Sequence, residues 1–226
     1  MSMKTVSFSR PGHTAEAVAG LKKFVSAQMP GVSFAQSTLD GPLFVTEIAA
    51  LDSLFPGGGI PYGQLIEITG SVSCGKTSLL NMILARLTQK RVVAYVDVSN
   101  SFFPKASASL GVNFDRLPLV KAANGQAGLR HAELLLQSRQ LSCLVLDLVG
   151  EKNMLPLPLL HRLRTDTVKN KGLVIFLTED NSRIIPASTV SLRLSVARKN
   201  MHSIELTVIK SRISREGLKA ELRLYE

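Results

Sequence analysis

From residue 64 onward the apolar positions switch between two periods, and that switching lays out the chain. Gln64-Leu-Ile-Glu-Ile-Thr69 holds β-branched residues in near-alternating polarity and reads as a strand, whereas residues 78–87 carry apolar side chains at helical spacing with no breaker. After the basic turn Gln89-Lys-Arg91, a second strand is expected over residues 92–97. Residues 105–110 predict a short helix closed by Gly111, and residues 117–120 a short strand. Residues 125–139 predict a helix with Leu129, Leu134, Leu135 and Leu136 on its apolar side. Residues 141–147 and 173–178 are continuously apolar, as strands covered on both faces of a parallel sheet are, and residues 158–168 between them read as a helix. Residues 190–196, 204–209 and 220–225 alternate in the manner of antiparallel strands, the last two separated by a basic loop over residues 210–215. The pattern is a doubly wound βα series: an α/β fold with a mostly parallel twisted sheet, flanking helices and antiparallel C-terminal strands.

Ahead of this series the pattern is different. Residues 1–35 are expected to form a separate helical segment and residues 36–226 the core domain. Within the first, a helix is expected from Thr14, as its N-cap, to Met29, with Val18, Leu21, Phe24 and Val25 on one face and Pro30-Gly31 ending it. Such a helix either packs back on its own domain or serves as an arm for a partner. Residues 36–63 are rich in turns and contain one short apolar stretch, Leu43-Phe-Val.

Composition narrows the class. A chain of 226 residues, 45% hydrophobic, has enough material for one good core. No apolar run reaches membrane-spanning length and the first residues lack the apolar stretch of a signal peptide, so a cytoplasmic protein is expected. With two cysteines, Cys74 in a glycine loop and Cys143 in an apolar strand, no structural disulfide is expected. The net charge of +10 fits nucleic acid or an acidic partner, and fits equally a plainly basic surface. Aromatics make up 5% with no Trp, which argues against a base-stacking platform.

The chemistry is concentrated after the first strand. Gly70-Ser-Val-Ser-Cys-Gly75-Lys76-Thr77 matches G-x-x-x-x-G-K-[ST] at every fixed position, with a strand before it and a helix after it. Backbone N–H groups of such a loop and the positive end of the helix converge on phosphate oxygens. Gly70, Ser73, Cys74, Gly75 and Ser78 would form the cradle, Lys76 would reach the β- and γ-phosphates of ATP, and the Thr77 hydroxyl would bind Mg²⁺. Leu144-Val-Leu-Asp147 has the form of a Walker B strand, and Asp147 would hold the same Mg²⁺, directly or through water. Hydrolysis also needs a group to position water. Val98, Ser99, Asn100 and Ser101 follow Asp97 without an acid, leaving Glu179 as a weak catalytic candidate at a strand end.

These residues together resemble RecA from about residue 50 onward. The resemblance is carried by Leu51-Asp-Ser-Leu-Phe-Pro-Gly-Gly-Gly-Ile-Pro-Tyr-Gly-Gln-Leu-Ile-Glu-Ile-Thr-Gly70, the phosphate loop, Val93-Ala-Tyr-Val-Asp97, residues 110–117, Leu206-Thr-Val-Ile-Lys-Ser-Arg-Ile213 and the final strand. It implies a RecA-like P-loop core in which Lys210 and Arg212 reach the nucleotide of a neighbouring subunit, although a solvated basic loop is an equal reading of that pair. The departures matter as much. Ser99 stands where RecA proteins carry the glutamate that activates water, Phe103 and Ala106 replace the residues presented to adenine, Glu179 replaces a glutamine switch, and Leu148 replaces the serine after the Walker B aspartate. The span from Asp147 to Val190 is too short for both mobile DNA-binding loops of RecA, and no counterpart of its large C-terminal domain is expected.

A trimmed RecA relative of this shape is similar to the ImuA family of mutasome accessories. That resemblance implies damage-induced (SOS) translesion synthesis in a bacterial, nucleoid-associated setting, beside an ImuB-like Y-family polymerase homologue, an error-prone C-family DNA polymerase and RecA. Nucleotide binding with weak or absent hydrolysis, and homo-oligomers, are compatible with it. Two alternatives stand beside it: a DNA-dependent ATPase of the recombinase-paralogue type, and a protein-binding cell-division inhibitor, against which the intact phosphate loop counts. For non-specific DNA binding the candidate cations are Arg162, Arg164, Lys169, Lys171, Arg193, Arg198, Lys199 and Arg215.

Overall fold

The computed structural model describes residues 43–180 and 182–224, all within the compact unit Gly41–Glu226. The helix expected over residues 14–29, and with it the division at residue 35, lies outside the described residues. Short strands β1 (Leu43–Phe44) and β2 (Ile60–Pro61) pair antiparallel, with a one-turn helix α1 (Ala49–Asp52) between them. The winding then runs β3 (Gln64–Gly70), α2 (Lys76–Leu87), β4 (Val93–Asp97), α3 (Pro104–Ser109), β5 (Leu119–Lys121), α4 (Gly125–Gln137), β6 (Cys143–Asp147), α5 (Leu157–Asn170) and β7 (Leu173–Glu179). Strands β8 (Leu192–Arg198), β9 (Ser203–Ser211) and β10 (Lys219–Arg223) complete it.

One eight-stranded sheet has the order β10-β9-β8-β3-β7-β6-β4-β5. Strands β3 to β7 pair in parallel, and β9 and β10 are antiparallel to their neighbours. The apolar runs of the central strands feed two cores by simple alternation of side-chain direction. Ile66, Ile68, Tyr95, Val145 and Ile175 face α2, while Leu65, Val96, Leu144, Leu146 and Phe176 face α4 and α5. Strand β3 is therefore buried along its whole length.

Three expectations need correction. Strand β8 alternates in burial, yet it runs parallel to β3 and antiparallel only to β9. Alternation reports that one face is covered, not the direction of the neighbour. The strand expected over 117–120 begins at Leu119, because Phe114–Arg116 forms a 3₁₀ turn and Pro118 follows. On α4, Leu129, Ala132 and Leu136 are buried but Leu134 is 65% exposed, since five residues from Leu129 turn it away from the core face. Cys74 and Cys143 are both free and buried, and burial pushes the Cys143 thiol up to about 12. No helix among the described residues is long and apolar enough to cross a membrane.

Candidate phosphate-binding site

Between the end of β3 and the start of α2 the chain passes through two left-handed residues, Ser73 (φ 59°) and Gly75 (φ 104°). The second requires glycine for a further reason. A Cβ on Gly75 would stand 2.6 Å from Ile204 Cγ2, and one on Gly70 would stand 2.5 Å from the Val196 carbonyl. The loop is thus pressed against β8 and β9: packing requires glycine at both motif positions, and at Gly75 the left-handed backbone favours it as well. Helix α2 opens with Leu79 N–H donating to Gly75 O at 2.9 Å. Lys76 is buried, its Nζ donating to Ser71 O at 2.8 Å and to Gly70 O. Thr77 remains exposed.

A cleft of about 350 Å³ lies over the loop. It is lined by the loop from Ser71 through Ser78, by Asp147 and Val149 from the end of β6, and by Ser101 and Arg198. Asp147 and Asp97 end adjacent strands as direct register partners. Asp147 is buried; its Oδ2 accepts from Tyr95 Oη at 2.8 Å and Ser99 Oγ at 3.0 Å, and its Oδ1 from Val149 N at 3.1 Å. Burial holds this carboxyl above the usual carboxylate range, and the bonds from Tyr95, Val149 and Ser99 pull it back. Tyr95 is held above the usual phenol range by burial first and then by the Asp147 charge.

Ser99, the residue in place of the expected acid, lies between the two carboxylates. Its Oγ is 3.0 Å from Asp97 Oδ1, 3.0 Å from Asp147 Oδ2 and 2.6 Å from Ser101 Oγ. A hydroxyl has one proton, so it serves one carboxylate at a time. Asp97 is completed by the N–H groups of Ser101 and Phe102. The cleft is therefore bordered by a positive loop, one buried carboxylate and a hydroxyl pair. The loop can cradle phosphate, and Thr77 with Asp147 provides the oxygen donors a hard divalent cation takes.

Other predicted residues fall elsewhere. Glu179 pairs in register with Gly70 but does not line the cleft; the chain turns there, and Asp180 approaches Thr69 Oγ1 at 3.4 Å instead. Lys210 and Arg212 do not belong to this chain's own cleft either. Lys210 is the register partner of Arg193 at the start of β8, five residues and about 17 Å along the strand from Arg198 at the loop end. Their cationic groups donate to Val190 O at 3.1 Å and Ser188 O at 2.8 Å. Burial, and then the charges of Arg212 and Arg193, hold the Lys210 ammonium below its usual value.

The basic residues assigned to DNA differ in their surroundings. Arg193 donates through Nε to the buried Glu67 carboxylate at 2.6 Å and is part of the fold. Arg162 pairs with Glu133 at 2.9 Å and Lys199 pairs with Glu221. Arg164, Lys169 and Lys171 on and after α5, and Arg215 in the β9–β10 loop, are exposed without an ion-pair partner among the described residues. Arg198 alone of the set reaches the cleft. Sequence reasoning did not single out Tyr95 or Ser101 and did not place Arg198 at the cleft; the parallel pairing of β8 with β3 was the signal needed for the last.

The sequence pattern of the RecA N-terminal domain matches residues 35–156. Protein RecA of Latilactobacillus sakei is 39% identical over 102 residues, which are 45% of this chain and 29% of that protein. Protein RecA of Chloroflexus aurantiacus is 33% identical over 130 residues, 57% of this chain and 37% of that protein. The chain thus spans roughly a quarter to two-fifths of the length of the curated relatives it matches. The crystal structure of a RadB recombinase shares the fold at a TM-score of 0.65, with 21% identity over 79% of this chain and 94% of that one. The matched domain covers more than half of the residues, and the chain belongs to the RecA N-terminal domain family.

Proposed function

We propose that this protein is a RecA-like accessory of DNA-damage-induced translesion synthesis, an ImuA-type scaffold that binds Mg·ATP but turns it over slowly or not at all. The observation that supports slow turnover is Ser99. At the position of the water-activating acid, a hydroxyl sits between Asp97 and Asp147, and among the described residues the only carboxylate lining the cleft is Asp147. A general base must reach the attacking water in its charged form; a serine hydroxyl at neutral pH does not. Binding needs only what is present: the loop N–H groups and Lys76 for phosphates, and Thr77 with Asp147 for Mg²⁺, which when bound would neutralise phosphate charge.

The scaffold reading is further supported by the short links after β6 and β7, residues 148–156 and 180–191, which leave little chain for mobile DNA-binding loops. The partners in this reading are an ImuB-like polymerase homologue, an error-prone C-family polymerase and RecA, in the bacterial cytoplasm at the nucleoid. DNA contact is non-specific, through exposed cations such as Arg164, Lys169 and Arg215. The competing reading, a DNA-dependent ATPase working in a filament, is favoured by one observation: Lys210 and Arg212 lie at the sheet end away from their own cleft, where a second subunit's nucleotide could meet them. ATP turnover with and without single-stranded DNA decides between them. The scaffold gives saturable Mg·ATP binding with turnover far below 1 s⁻¹; a rate of about 1 s⁻¹ or more rejects it.

A further inference from the structure

Strand β8 ends on Arg198, and because β8 runs parallel to β3 it delivers this guanidinium to the same sheet end as the phosphate loop. Two of its donors are used on protein: Nε on Ser73 O at 3.1 Å and Nη1 on Met201 O at 3.1 Å. Nη2 has no hydrogen-bond partner among the described residues. It lies 3.8 Å from where a Cβ on Gly75 would stand, directly over the first turn of α2. Among the described residues no carboxylate pairs with the group: the acids on the neighbouring strands, Glu205 and Glu221, are taken by Lys219 and Lys199. Arg198 lines the cleft with Lys76, Thr77 and Ser78.

Two cations, a helix N-terminus and a single carboxylate held behind Tyr95 and Ser99 make a concave surface suited to a polyanion. The planar fork of arginine matches phosphate geometry and retains an unused edge here. We infer that Arg198 is a phosphate-binding residue of this same chain, its Nη2 edge taking a phosphate oxygen of the bound nucleotide while Nε holds the Ser73 carbonyl. The inference rests on the nucleotide-binding reading above. It adds that the cation completing the site comes from within the chain. Nucleotide affinity therefore does not depend on assembly, and Ser73, in a left-handed conformation that a serine rarely adopts, is kept there by the same side chain.

The test is equilibrium titration of the protein with a fluorescent ATP analogue in Mg²⁺, with inorganic triphosphate as competitor, at two protein concentrations. Arg198→Ala and Arg198→Gln, both with unchanged melting temperature, lose about tenfold in affinity for ATP and for triphosphate alike. Arg198→Lys, which keeps the charge, loses less, and wild-type affinity is the same at both concentrations. Wild-type binding by Arg198→Ala and Arg198→Gln overturns the inference while leaving the nucleotide reading intact. An equal loss in all three variants also overturns it, because the side chain then acts only by holding the loop. If the wild type binds neither ATP nor triphosphate, the nucleotide reading fails and takes this inference with it; Lys76→Ala, expected to abolish binding, marks the difference.

Discussion

Arg193→Ala separates a structural role from a nucleic-acid role for the basic residues. Glu67 sits in mid-β3 with its side chain 1% exposed, accepting from Arg193 Nε at 2.6 Å and Thr178 Oγ1 at 2.8 Å. Arg193 is its register partner on β8, 21% exposed, and adds a bond to Ile185 O at 3.3 Å. Removing the guanidinium leaves a carboxylate in the sheet with one hydroxyl for company, and breaking a buried pair in this way costs about 3–5 kcal/mol. A fifth of the Arg193 side chain is already wet, so water relieves part of that cost and the expected loss is near the lower end, about 3 kcal/mol. For a domain of this size that lowers Tm by about 6–12 °C. The double change Glu67→Leu with Arg193→Leu removes both charges and should recover most of the loss. Urea and thermal unfolding, with DNA binding measured in parallel, give the answer. If Arg193→Ala unfolds within about 1 kcal/mol of wild type and loses DNA affinity, the ion pair contributes as little as an exposed one and the reasoning is refuted.

Gly75→Ala combines left-handed strain with overlap on Ile204, and should cost about 2–4 kcal/mol in urea unfolding while also weakening nucleotide binding. A loss under about 0.5 kcal/mol would show that β9 yields freely and that the loop is not pressed against it. Glu151 receives the backbone N–H groups of Asn153, Gly125 and Lys152, and these hold its carboxyl below the usual range. A folded value below the unfolded one adds stability above the ordinary carboxylate value, and the gain disappears as pH falls through the folded value. Glu151→Gln should therefore cost about 0.5–1 kcal/mol at pH 7, discounted for its exposure, and nothing near pH 2. An equal loss at both values would contradict it.

What could be read from the sequence follows the range of the forces involved. The phosphate loop, Asp147 and the buried strands are written in local patterns, and each appears where the periodicity places it. Arg198 and Arg193 belong to the same seven-residue strand and look alike as isolated cations, yet one reaches the loop and the other a buried glutamate. Their partners, Ser73 and Glu67, lie more than a hundred residues earlier, and only the sheet order brings them together. The bond from Tyr95 to Asp147 was hidden for the same reason, since it crosses between strands that the sequence separates by two helices, a 3₁₀ turn and strand β5. Leu134 was misread because leucine content marks a helix as apolar without saying which leucines face inward.

The strand order also sets a timetable. Strand β3 sits between β7 and β8, so neither of its edges is paired until the chain has been made as far as Leu173 and Leu192. At ordinary rates of synthesis this strand, buried along its whole length in the finished sheet, waits on the order of ten seconds on the ribosome with its backbone donors and acceptors unmet. Loop closure over that separation is slow and exposes a sticky edge meanwhile. The phosphate loop at its end has no Ile204 or Val196 to rest against until β8 and β9 arrive. A nascent chain of this protein is thus in need of shelter, and becomes able to hold a ligand only when its last strands are complete.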